Sequence, residues 1–150
     1  MRIVAACLFF AVVSVVVAPS SQELHKRYGE PNLERFMARP GIALTAEYGS
    51  DHSACWVLIE PPRPLFHPEE SLPLMSSDTV TELLEEIVPV NIRGMSISSS
   101  ISSMGCAESR RTQYQGLTID RVRNTCLSPT PEHDVRATVT YKRDICRKSK

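Results

Sequence analysis

"CAESRRTQYQGLTIDRVRNTC", residues 106–126, has a cysteine at each end and its only glycine near the midpoint. "AESRRTQY" and "LTIDRVRN" read as strands flanking Gln115-Gly116, where a glycine would supply the positive φ of a tight hairpin loop. With the turn centred on Gly116, paired residues have numbers summing to 232, and Cys106 lies opposite Cys126. The two sulfurs then meet across the open end of one hairpin, at the separation a disulfide needs. The pairing depends on the turn, because a slip of one residue sends the two side chains to opposite faces. In the same register Arg111 faces Arg121, and like charges opposed across a ladder destabilise it. A different register, a nearby acid, or a bound anion would each relieve that contact.

A disulfide implies an oxidising compartment. The chain opens "MRIVAACLFFAVVSVVVAPSSQ", in which Arg2 precedes an apolar run from Ile3 to Val17, followed by small residues. That is the pattern of a cleavable secretory signal peptide, here residues 1–20. The run is shorter than the roughly 20 apolar residues of a membrane-spanning helix. The expectation is therefore a secreted or periplasmic protein without a stable membrane span after cleavage. Cys7 leaves with the signal, and Cys55, Cys106, Cys126 and Cys146 remain. Four cysteines allow three disulfide connectivities. Pairing Cys106 with Cys126 leaves Cys55–Cys146 to tie an early strand to the carboxyl terminus; four buried free thiols are the alternative. Without a C-x-x-C pair, the cysteines do not suggest zinc, and no metal or cofactor is expected.

Residues 21–150 fit a single small domain, with 42% hydrophobic and 23% charged residues over the whole chain. "SQELHKRYGEP" suggests a short helix ended by Gly29 and Pro31, and "LERFMAR" an edge strand. In "GIALTAEYGSDHSACWVLIEP", Ile42, Leu44, Ala46 and Tyr48 alternate with more polar positions before a turn cluster. "ACWVLIE" is apolar on both faces, which places it centrally in a sheet with Trp56 as a core anchor. The proline-rich "PPRPLFHPEESLPL" cannot be helical. "SSDTVTELLEEIVP" is the main helix: Thr79 and Glu82 fit a capping box, and Val80, Leu83, Leu84, Ile87 and Val88 form one apolar stripe. "SISSSISSMG" reads as a serine-rich loop. "DVRATVTYKRD" alternates as a strand with one wet face. The fold class is α+β: an antiparallel sheet of five or six strands with one main amphipathic helix packed on one face, stapled by disulfides.

Charge is unevenly spread. Residues 51–88 carry eight acids against one base, and residues 108–150 ten bases against five acids. The basic set on the carboxyl-terminal strands, Arg110, Arg121, Arg123, Arg136 and Lys142, is expected to face outward and is the candidate binding face for an acidic protein or an anionic envelope component. Tyr114 offers one aromatic neighbour, too few for single-strand stacking platforms, so nucleic acid is not an expected partner. His25, His52, His67 and His133 share no strand or helix spacing, and neither a nucleophile elbow nor H-E-x-x-H is present. No residue is assigned a catalytic role.

The runs "RYGEPNLERF", "LTAEYGSDHSACWVLIEPP" and "MSSDTVTELLEEIVP" resemble predicted exported bacterial proteins to which no function attaches. The hairpin followed by a helix and a further strand is also similar in topology to small periplasmic domains such as the carboxyl-terminal domain of the TonB energy transducer. The spanning anchor and proline-rich spacer of that protein have no counterpart here, so no function carries over. The leading expectation is an exported, disulfide-stabilised, non-catalytic binding module. The alternatives are a small envelope hydrolase with scattered catalytic groups and a structural envelope component, the latter marked by an exposed apolar edge strand.

Overall fold

The computed structural model describes residues 21–63, 74–126, 132–143 and 146. Residues 1–20, where a signal peptide is expected, the middle of the proline-rich segment with His67, residues 127–131 and residues 147–150 lie outside them. The chain divides into two units, 1–31 and 32–150. The first holds helix α1 (Ser21–Tyr28), which ends where Gly29 takes φ 84 and donates its N–H to His25 O.

The second unit is built on antiparallel strands β1 (Leu33–Arg39), β2 (Ile42–Tyr48), β3 (Ala54–Glu60), β4 (Met75–Ser76), β5 (Ser96–Met104), β6 (Ala107–Tyr114), β7 (Leu117–Asn124) and β8 (His133–Tyr141). Helix α2 (Ser77–Ile87) and the single turn α3 (Val90–Arg93) separate β4 from β5. The sheet order is β1-β2-β3-β8-β7-β6-β5, and β4 pairs β8 beyond the end of its contact with β3. The α+β expectation holds in its coarse form, with eight strands among the described residues in place of five or six. Two were not expected: the short β4, and β5, which replaces the serine-rich loop.

One face of the sheet is dry. Ile42 and Ala46 from β2, Val57 and Ile59 from β3, Leu117 and Ile119 from β7, and Ala137 and Val139 from β8 are buried on it. Val80, Leu83, Leu84 and Val88 of the α2 region cover them, so the three-four stripe read from the sequence is the stripe that packs. The capping box is not made: the helix starts earlier, at N-cap Ser76, whose side chain makes no cap bond, and Thr79 lies inside the first turn. Trp56 is corrected as well. It points to the opposite, open face, half-buried, while Val57 and Ile59 anchor the core.

Both disulfides are present, Cys55–Cys146 and Cys106–Cys126, with Cα separations of 5.2 and 5.0 Å. The register that suggested the second differs by one. β6 and β7 are joined by the two-residue turn Gln115-Gly116, so Ala107 pairs Asn124 and Arg111 pairs Asp120, with numbers summing to 231. Gly116 does not take a positive φ. The bridge survives because both cysteines lie just past the strand ends, where the pleat no longer dictates facing, and Thr125 N–H donates to Cys106 O at 2.9 Å.

Candidate anion-binding cavity

The corrected register sorts the basic residues onto two faces. On β6, Glu108, Arg110 and Thr112 stand opposite Arg123, Arg121 and Ile119 of β7, all toward helix α2. Arg111 and Gln113 point the other way with Asp120 and Thr118. The anticipated Arg111–Arg121 clash is replaced by an ion pair in which Arg111 Nη2 lies 2.9 Å from Asp120 Oδ2. Arg110 now faces Arg121, and the acid that compensates is Asp134.

Asp134 is fully buried on β8, brought opposite Arg123 by a register shift between Val122 and Arg123. Arg121 donates to both of its oxygens, to Thr81 Oγ1 at 2.9 Å and to Ser77 O at 3.1 Å. Arg123 Nε lies 3.8 Å from Asp134 Oδ1, and Arg123 Nη1 lies 2.6 Å from Glu132 Oε2. A buried carboxylate without such partners would be strongly unfavourable, and here two guanidinium groups supply them.

Arg93, which sequence reading did not single out, completes the ring. Pro89 starts α3, and this one turn swings Arg93 back under α2. Its Nε donates to Val88 O, its Nη2 lies 2.8 Å from Glu85 Oε1, and its Cζ sits 5.9 Å from the Tyr114 ring centroid. The signal was absent from the sequence because only the fold brings this residue to β6.

Arg93, Arg110, Arg121 and Arg123 thus line one cavity of about 150 Å³, together with Glu85 and the hydroxyl-bearing Thr81, Thr112 and Tyr114. Two guanidinium nitrogens there, Arg93 Nη2 and Arg123 Nε, are buried without a hydrogen bond. Each has a carboxylate oxygen at ion-pair distance, but neither pair has hydrogen-bonding geometry. Arg110 is the open member: 45% exposed, with only a 4.0 Å contact to Glu108.

No protein-family model, curated protein or solved structure matches the chain. What the site can do therefore rests on its own chemistry. Guanidinium groups stay protonated and present planar donor forks suited to carboxylate or phosphate. They offer no general base.

The rest of the expected basic face lies elsewhere. Arg136 is on the open face, beside a cavity of about 320 Å³ lined by Arg111, Gln113, Thr118, Asp120, Thr138 and Thr140. Lys142 donates to Tyr114 O at 2.6 Å, near the β6–β7 turn. A third cavity, about 230 Å³, lies against the Cys55–Cys146 bridge beside Trp56 and Tyr141, whose phenol burial raises above its ordinary pKa. None of the described histidines lines any of the three. Among the described residues, no group of three or more His, Cys, Asp or Glu side chains could hold a metal ion.

Proposed function

We propose that the protein is an exported, non-catalytic binding module that receives an anionic group, the carboxylate of an acidic partner, in the cavity ringed by Arg93, Arg110, Arg121 and Arg123. The observation that carries this reading is the convergence of four arginines on a space of about 150 Å³ in which Arg110 stays open, its ion pair to Glu108 stretched to 4.0 Å. An incoming carboxylate would accept two bonds from the exposed guanidinium fork of Arg110, and charge-assisted bonds of this kind are roughly twice as strong as neutral ones. Arg110 would make first contact, because its own acid is farthest away.

Export is supported by the two disulfides, which suit an oxidising compartment. Among the described residues, no helix is long and apolar enough to cross a membrane. A structural envelope role is the second reading, and the exposed, uncharged strand β5 favours it.

Calorimetric titration with a glutamate-rich peptide tests the main reading, with inorganic phosphate as a second probe. Wild-type protein should bind the peptide, and Arg110→Glu should weaken it at least tenfold, about 1.4 kcal/mol. Equal affinity for the two proteins would remove the cavity from consideration. Phosphate binding without peptide binding would reassign the ligand class.

A further inference from the structure

Strand β5 ends the sheet, and among the described residues nothing pairs with its outer side. Half of its N–H and C=O groups therefore point away from β6. All nine of its residues are exposed, including Ile101 at 56% and Met104 at 85%. It carries no charge and no proline, the usual means of blunting an edge. The opposite edge, β1, is charged, with Glu34, Arg35 and Arg39, and has a register break between Met37 and Arg39. The two edges of one sheet are thus built differently.

We infer that β5 is the contact through which two copies of this chain join, antiparallel and two-fold symmetric, into one continuous sheet. The sequence is self-complementary, as an isologous interface requires. "SSISS", residues 99–103, reads the same in both directions about Ile101, and "SISSSIS", residues 96–102, does so about Ser99. The backbone chooses between these centres. β5 is irregular against β6 between Ser96 and Ser98 and regular from Ser98 to Met104. The centre at Ile101 uses only the regular stretch. It sets Ile101 against Ile101 of the second copy, Ser99 against Ser103, and Ser100 against Ser102.

No charge opposes another in this pairing, because β5 has none. The next strand inward is neutralised within its own chain, Arg111 by Asp120 and Arg110 more loosely by Glu108. A two-fold axis normal to the sheet keeps both α2 helices on one side. Arg110 pairs Ile101 across β5–β6, so the two Arg110 backbones would stand three strand spacings apart, about 14 Å. The two arginine-lined cavities would then open on the same face.

Sedimentation velocity over a concentration series, with the full secreted chain, tests this. Wild type should form a discrete dimer. Ile101→Lys and Ile101→Glu should each weaken it at least tenfold by placing like charges opposite, and an equimolar mixture of the two should restore it. That restoration also shows that both variants are folded. Ile101→Cys should crosslink to itself under mild oxidation, whereas the Ser99-centred register would leave the two 101 positions apart. A wild type that stays monomeric overturns the inference, as do an open polymer or a dimer insensitive to charge at 101.

Discussion

Gly94 lies between α3 and β5 at φ 73, ψ −164, a region that only glycine occupies comfortably. A Cβ there would meet Gln115 Oε1 at 2.7 Å, the same oxygen that accepts from Met95 N–H at 3.4 Å. Gly94→Ala should therefore cost about 1–3 kcal/mol in urea unfolding, mostly from the backbone, since Gln115 can swing aside. The sequence shows only a glycine after a basic residue. Nothing local announces that the turn α3–β5 must pass over Gln115. Gly116 is the converse case: the sequence suggested a conformational need for glycine, and the folded turn has none of the left-handed kind.

At the scale of elements, β7 shows why the basic set was only half legible. Its inner row runs Leu117, Ile119, Arg121, Arg123, apolar and then charged. Period-two reading gave the strand correctly. It could not say that Asp134, on a strand with its own apolar alternation, would be buried beside both arginines. Asp134 holds β7 to β8, and through Arg121 to Thr81 and Ser77 of α2. Asp134→Asn should lower stability by about 3 kcal/mol, because it leaves the largely buried Arg121 guanidinium without its counter-charge and Arg123 with only the exposed Glu132. Chemical denaturation of the variant, compared with an Arg136→Gln control on the open face, measures it. β5 was missed for a different reason. With all nine residues exposed, it has no dry face and hence no hydrophobic alternation to read. Its partner β6 and the two-residue turn opened by Gly105 at φ 57 define it instead.

For the whole molecule, the carboxyl-terminal strand β8 inserts between β3 and β7, so the centre of the sheet forms from segments far apart in the chain. The Cys55–Cys146 bridge spans 91 residues and fastens that closure, while Cys106–Cys126 spans 20 and closes one hairpin. In the chain-entropy view the longer loop constrains the unfolded state more, by about 4.5 kcal/mol against about 3. Replacing Cys55 and Cys146 by alanine should thus lower the urea midpoint more than replacing Cys106 and Cys126. Equal losses would mean that native packing around Cys55 and Cys146 compensates for the lost constraint.

The sequence by itself determined the buried stripe of α2, the alternating strands β2 and β8 and the central place of β3. Each of these is written in local periodicity or in the spacing of a few residues. Tertiary structure alone decided the β6–β7 register, the inner position of Arg121 and Arg123, the arrival of Arg93 and the existence of β5. Those features depend on which side of a pleat a residue falls and which distant segment covers it. A one-residue change of register reverses the first, and only long-range packing supplies the second.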